Sequence, residues 1–408
     1  MEQPRVFHMD LDAFFVAVER AHDPSLVGKA VVVGGEANSR GVVTCASYEA
    51  RPYGLRAGMP LTQAYKLCPH AIYLVGRYER YSEVSDKFLK MLGEYSPFIE
   101  PLGMDEAYMD MTGFERLYGP LVKVAREIKE RVRKELKVVV SVGIGSSKIT
   151  AKVASDRGKP DGLVEVLPGE DARFLAPLEL EDLPGVGERT AQTLRVKLGV
   201  KTVGEVARLP ETALRRTFGA WGDLLHRWAN GIDHAPVQGP MAPKSIGRST
   251  TFHKDTREVD FILATLRYLT ERVGNELRKE QKKARRVSAT VRFSDFETIG
   301  HQVTLKTPIC HDQGLYEAAE SIVLRTLKER KMMVRLVGVS VGELVEEALQ
   351  GSLFRGEEER WLELSRAFDK AREKYGFPSL QTGRTFSLAE HYPEDRRGYI
   401  LKTASLSR

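Results

Sequence analysis

Apolar and polar positions change period several times along the chain, and each change predicts an element. The first apolar stretch, PRVFHMDLD, reads as a short buried strand; AFFVAVERA then takes up helical spacing with Phe15, Val18 and Ala21 on one side. KAVVVGG and GVVTCAS read as two strands joined by the turn-rich EANSR, followed by the Gly/Pro-punctuated RPYGLRAGMP and a helix over LTQAYKLC. Helical period returns at Tyr81, Val84, Phe88, Met91, Leu92 and Tyr95, and again at Leu121, Val124, Ala125, Ile128, Val132 and Leu136. PFIEPLGMDEAYMDM lies between those helices and KVVVSVGIGSS follows them; both read as strands. This succession predicts an antiparallel sheet covered by helices on one face.

Residues 168 to 232 change character: they are helical, rich in Leu, Arg and Gly, and carry LPGVGERTAQTL and GVKTVGEVARLP. GIDHAPVQGPMAPKS then concentrates Pro and Gly without periodicity, the composition of a linker, which puts a boundary near 233 to 243. Beyond it, a helix over FILATLRYLTERVGNELRK, strands over RRVSATVRFSDF and IGHQVTLKT, a helix near 312 to 330 and a strand over RLVGVSVGEL predict a second α+β unit. Residues 357 to 376 read as a charged amphipathic helix.

Composition narrows the class. A chain of 408 residues favours two to four domains. No run approaches the roughly 18 apolar residues that span a bilayer, and the acids inside MEQPRVFHMDLDAFF are foreign to a signal peptide, so a cytoplasmic chain without a membrane partner is expected. Cys45, Cys68 and Cys310 lie far apart with no C-x-x-C pair, against both a disulfide framework and a zinc site. The formal charge of +6 is unevenly placed: residues 241 to 340 hold 19 Lys+Arg against 12 Asp+Glu, whereas residues 1 to 240 balance. A basic excess confined to one segment suggests a surface for a polyanion, although a solvated basic face would look the same.

The candidate chemistry is acidic. Asp10 and Asp12 stand at i and i+2, so a continuing strand would turn both to one face. Asp105 and Glu106 are adjacent in an apolar segment and reach one site only if the chain turns there, which predicts a hairpin tip. Two acid clusters in apolar strands suit hard cations, since carboxylates are the oxygen ligands Mg²⁺ selects, and a pair of such ions can assist phosphoryl transfer. Strand-end acids paired with arginines would give the same pattern. On this chemistry alone nucleases, cyclases and polymerases all remain open.

Taken together, HMDLDAFFVAVE, TCASYEARPYG, GMDEAYMD, SDRGKPDG, LPGVG and KSIG resemble the ordered signature of the Y-family translesion DNA polymerases of the bacterial polymerase IV type, over residues 5 to 355. The resemblance implies a multidomain α+β right hand: an antiparallel-sheet palm (1–10 and 77–166), small fingers (11–76), an all-helical thumb with a helix-hairpin-helix (167–232), a linker (233–243), a C-terminal α+β little finger (244–345) and a flexible tail (346–408). It implies error-prone addition of deoxynucleotides to a primer 3′ end, with primed template DNA and deoxynucleoside triphosphates as partners and a monomeric enzyme. Two Mg²⁺ ions would be held by Asp10, Asp105, Glu106 and the Leu11 carbonyl, with Glu106 credited with the catalytic role and Asp12 left as a structural acid.

The same resemblance implies that Phe15 is a steric gate against ribose and that Tyr48, Arg51 and Lys159 contact the triphosphate. Without it, Phe15 would be read as core and Lys159 as an ordinary turn lysine. Gly185 and Gly187 would shape the thumb hairpin that meets a DNA phosphate, and Lys282, Lys283, Arg285 and Arg286 would grip the backbone. LQGSLFRG resembles a sliding-clamp peptide with Gln350, Leu353 and Phe354 as anchors. The sequence departs from the family pattern at Gly351, at Gly103 and Met104 before the acidic pair, and at Ser47.

Overall fold

Alternation along β1 (Val6–Leu11) decides the architecture of the larger sheet: Phe7, Met9 and Leu11 enter the main apolar core, while His8 and Asp10 face the other way. The computed structural model describes residues 3–240, 242–346 and 356–401, with the backbone of 405–407. The chain divides into two compact units, Met1–Met241 and Ala242–Arg408. Among the described residues no helix is long and apolar enough to cross a membrane.

In the first unit the sheet runs in the order β5-β6-β1-β7-β8, adding β5 (Ile99–Pro101), β6 (Glu106–Asp110), β7 (Val140–Gly145) and β8 (Leu163–Glu165). Helices α3 (Tyr78–Leu92) and α5 (Leu121–Arg131) bury Tyr81, Phe88, Leu92, Val124 and Ile128 against its apolar face. Two expectations are corrected. The sheet is antiparallel only as far as β7, because β8 pairs with β7 in parallel. A parallel neighbour needs a crossover, and α6 (Lys148–Gly158) provides it. Helices also cover both faces, not one, because α6 lies on the face that carries His8 and Asp10. Gly143 makes that approach possible: a Cβ there would stand 2.0 Å from the Ala151 carbonyl oxygen and 2.3 Å from the Ser155 nitrogen.

A second sheet, β3-β2-β4, consists of β2 (Val31–Val33), β3 (Cys45–Ala46) and β4 (Ile72–Leu74), with α2 (Leu61–Leu67) packed beside it. Helix α1 (Phe14–His22) meets α3, β2 and β3, and so buries Phe14, Val16 and Val18. The face expected from its spacing is therefore wrong: Phe15 is half-buried and Ala21 is exposed, because the helix is packed on more than one side. Short helices follow over 171–229: α7 (Asp171–Leu175), α8 (Glu188–Thr193), α9 (Val203–Arg208), α10 (Glu211–Phe218) and α11 (Ala220–Ala229), around Leu175, Leu194, Val203, Leu214 and Leu225.

The second unit is a sheet in the order β11-β10-β12-β9-β15, the last being β15 (Ser405–Ser407), with α12 (Val259–Lys279) and α13 (Asp312–Glu329) sharing its core. Its long strands are β9 (Ser245–Thr256), β10 (Lys282–Phe293), β11 (Thr298–Ile309) and β12 (Val334–Glu346). The sequence did not announce β9, since SIGRSTTFHKDT carries no run of β-branched apolar residues.

The segment 346–408, expected as a flexible tail, is folded over residues 356–401. Within the second unit helix α14 (Glu357–Tyr375) packs beside α13, and Leu388, Tyr392 and Tyr399 form a small cluster with Ala264 and Tyr268 of α12. Charges on α14 complete buried groups on α12. The Arg372 guanidinium donates to Glu271 at 2.6 Å, and Arg278 donates to Asp369 at 2.5 and 2.9 Å and to Asp312 at 2.8 Å. The clamp-like peptide with Gln350, Leu353 and Phe354 lies outside the described residues.

Candidate active site

The register of β1 against β6 puts Asp10 directly opposite Glu106, so the two carboxylates share one face of the sheet. Asp105 sits in the turn between β5 and β6, and its carbonyl accepts the Leu11 N–H at 2.8 Å. The hairpin tip expected from two adjacent acids is therefore present, and it brings residue 105 to the end of β1.

Lysines close this cluster. Lys159, capping α6, donates to Asp10 Oδ2 at 2.6 Å and to Asp156 at 2.8 Å. Lys152 donates to Glu106 Oε2 at 2.7 Å. The fully buried His8 places Nε2 3.4 Å from the same oxygen, while its Nδ1 meets Ser155 Oγ at 2.7 Å. Burial pushes the Asp10 carboxyl up to about 6 despite Lys159, and burial together with the Glu106 charge raises Asp105. Glu106 is held down to about 2 by His8 and Lys152, of which the lysine makes the shorter contact. Burial alone would lower the Lys159 ammonium, yet Asp10 and Asp156 hold it above its ordinary value.

Asp12 does not continue the strand as its spacing suggested, because β1 ends at Leu11. Its carboxylate accepts from the Tyr48 hydroxyl at 3.0 Å, the Ser141 hydroxyl at 2.8 Å and the Asp161 N–H at 2.8 Å. It thereby ties the segment carrying Tyr48 to the loop carrying Lys159. The Arg51 guanidinium lies 3.9 Å over the Tyr48 ring. Burial and the Asp12 charge push the Tyr48 hydroxyl up to about 12, so it remains a donor at neutral pH.

Ala13 turns the chain after Asp12 with φ of 44°, an uncommon conformation for a non-glycine residue. Two residues later the Phe15 ring packs 4.5 Å from Tyr81 and 5.8 Å from Tyr78. The first unit thus gathers Asp10, Leu11, Asp105, Glu106 and Lys159, ties in Tyr48 and Arg51 through Asp12, and sets Phe15 one turn away.

These features decide a comparison with known proteins. A model of the impB/mucB/samB family matches residues 9–156, one of that family's C-terminal domain matches 243–353, and one described as the DNA polymerase-iota thumb domain matches 181–233. DNA polymerase IV of Dehalococcoides mccartyi (strain CBDB1) is 44% identical over 390 residues, covering 95% of this chain and 99% of that protein. DNA polymerase IV of Desulfatibacillum aliphaticivorans is 38% identical over 385 residues, covering 93% and 96%. The chain belongs to the Y-family of DNA polymerases. Among solved structures, a Y-family polymerase chimera of Dbh and Dpo4 matches with a TM-score of 0.76 at 29% identity, and the insertion ternary complex of Dbh DNA polymerase with 0.60 at 28%; each covers 84% of this chain and 99% of its own.

This Y-family enzyme is a DNA-directed DNA polymerase made up of palm, fingers, thumb and little finger. In its thumb, Gly185 adopts φ of +84°, and Gly187 precedes the first turn of α8. In its second unit, Arg286 pairs with Glu343, and Lys282 lies 3.8 Å from Glu346. Arg285 is exposed, its Nε directed at the Leu305 carbonyl, while Lys283 is half-buried. The polymerase's sheet also presents a polar face of which the sequence reading named only Arg286. Strand register lines up Arg286, Ser288, Thr290 and Arg292 with Ser340, Gly342, Ser245 and Ser249 on the side away from Val287, Ala289 and Val291. His8 and Lys152 were missed as well. Their signals were faint: His8 shares the face of Asp10 by strand period, and Lys152 stands at helical spacing from Lys148.

Proposed function

We propose that this polymerase adds deoxynucleotides to a primer 3′ end with Asp10, Asp105 and Glu106 as its reacting-centre carboxylates, in error-prone translesion synthesis. The observation that carries the reading is the cross-strand pairing of Asp10 with Glu106 beside Asp105, in a chain of this family. The donor set fits divalent metal: all are hard oxygen ligands, and Asp10 and Asp105 are acids whose charge the buried site leaves poorly compensated. Among the described residues no three acidic, His or Cys side chains converge on a point that would hold an ion. Lys152 and Lys159 each donate to one of these carboxylates, Glu106 and Asp10.

Asp10, Asp105, Glu106 and the Leu11 carbonyl would hold two Mg²⁺ ions, which when bound supply charge stabilisation at the attacking and leaving oxygens. Tyr48, Arg51 and Lys159 would orient the triphosphate, the guanidinium as a fork and the ammonium as a point charge. Phe15, backed by Tyr78 and Tyr81, would exclude a 2′-hydroxyl by shape. Replacing Phe15 by alanine is expected to lower discrimination against ribonucleotides by roughly 10- to 100-fold, corresponding to the about 1–3 kcal/mol that overpacking costs. Unchanged incorporation ratios would remove Phe15 from this role.

The thumb turn at Gly185 and Gly187 and the basic residues Lys282, Lys283, Arg285 and Arg286 are proposed to contact DNA phosphates, with binding that weakens steeply as salt rises. Gln350, Leu353 and Phe354 are proposed as clamp anchors on sequence pattern alone, and the enzyme as a cytoplasmic monomer. Extension of a primed template with deoxynucleotides and Mg²⁺ tests the central reading. Primer shortening without extension would identify a nuclease, and DNA binding without either would identify a silent scaffold.

A further inference from the structure

Two lysines of one helix and a third that caps it face three acids of the sheet beneath. Lys148 donates to Glu100 at 2.5 Å, Lys152 to Glu106 at 2.7 Å, and Lys159, at the end of the helix, to Asp10 at 2.6 Å. Lys148 and Lys152 are four residues apart and so stand on one side of α6, which the close approach at Gly143 presses onto the sheet. Two of these pairs involve carboxylates assigned above to metal.

An ammonium bonded to a carboxylate oxygen and a divalent ion within roughly 2.1 Å of that oxygen would bring like charges together in a partly buried site. The two occupants compete. Lys152 and Lys159 can also withdraw, because their side chains are 24% and 23% exposed and each has a long flexible stem. Lys159 keeps a second acid, Asp156, when it leaves Asp10.

We propose that Lys152 and Lys159 are the counter-ions of the metal-free active site, and that metal binds by exchange, both ammonium groups leaving Glu106 and Asp10 as it does. This rests on the assignment of those carboxylates to metal. Exchange has a functional consequence: Lys159 is freed for an anionic substrate only once Asp10 has another cation, so metal and triphosphate binding reinforce each other. Lys152 opposes metal in the resting enzyme while preventing the uncompensated acids from repelling one another.

The test uses the full chain without DNA or nucleotide, titrated with Mn²⁺ and followed by the electron paramagnetic resonance of the free ion. Lys152→Met is expected to bind Mn²⁺ about tenfold more tightly than the wild type, since a competing positive charge is gone. Equal or weaker binding overturns the proposal, because Lys152 would then be holding Glu106 in place for the metal. Asp10→Asn separates the underlying assignment: if it binds Mn²⁺ as the wild type does, the carboxylates are not the ligands and the proposal falls with them. A second measurement needs no variant. Acetylation of wild-type lysines, mapped by mass spectrometry, is expected to speed up several-fold at Lys152 and Lys159 when Mg²⁺ is added and to stay level at Lys148. Equal rates with and without Mg²⁺ at Lys152 and Lys159 overturn the exchange.

Discussion

Replacing Asp105 by alanine is expected to lower single-turnover primer extension on the order of a thousandfold while leaving the fold intact. The magnitude is that of removing a group which, in the proposed role, acts where charge develops during phosphoryl transfer, a loss of several kcal/mol. Asp105 lies in the turn between β5 and β6 and belongs to neither strand. Burial and Glu106 hold its carboxyl above the usual range, so its ionised form destabilises the metal-free fold at neutral pH. That penalty is present above the folded pKa and vanishes as pH falls below the unfolded one. Asp105→Ala should therefore melt no earlier than the wild type at pH 7. Asp110→Asn is the control, because that carboxylate caps the local turn by accepting the Thr112 N–H. Extension by Asp105→Ala within tenfold of the wild type would remove this residue from the reacting centre.

Replacing Glu271 by alanine is expected to destabilise the second unit by about 3–5 kcal/mol, the range for stripping one partner from a buried ion pair. Glu271 is 1% exposed and accepts from Arg267 at 2.9 Å, from Arg372 at 2.6 Å and from Thr382 at 3.1 Å. Its loss strands two guanidinium groups in the interior. Hydrogen exchange should show residues 356–401 losing protection first, because Arg372 and Asp369 are the residues through which α14 bonds Glu271 and Arg278 of α12. Glu271→Leu combined with Arg372→Met should recover much of the loss, since matched apolar replacement of a buried pair is often neutral. A urea midpoint shift worth under 1 kcal/mol for Glu271→Ala would mean that water reaches this network.

The folded segment beyond residue 356 lies past the 243–353 match of the family's C-terminal domain. Its charged helix was legible from the sequence, yet its role was not. A helix of Glu, Arg and Lys looks solvated on its own, and only the positions of Glu271 and Arg278 on α12 show that Arg372 is a buried partner and Asp369 a half-buried one.

Local pattern by itself determined much of this protein. Period-two alternation in VFHMDL, helical period over 78–95 and 121–136, and the linker composition near 233–243 correspond to β1, α3, α5 and the break at 241/242. These signals are local because strand and helix periodicity depend on near neighbours alone. Family motifs likewise nominated the acids and Phe15. What tertiary structure alone decided concerns partners far apart in sequence. Register placed Asp10 across from Glu106, 96 positions away, and a glycine at 143 let α6 settle on the polar face and bring Lys152 and Lys159 to those acids. The packing of α1 on several sides overrode its helical stripe and left Phe15 half-buried. Periodicity records which side chains share a face; which charges meet across that face depends on register and close approach, and those exist only once the chain has folded.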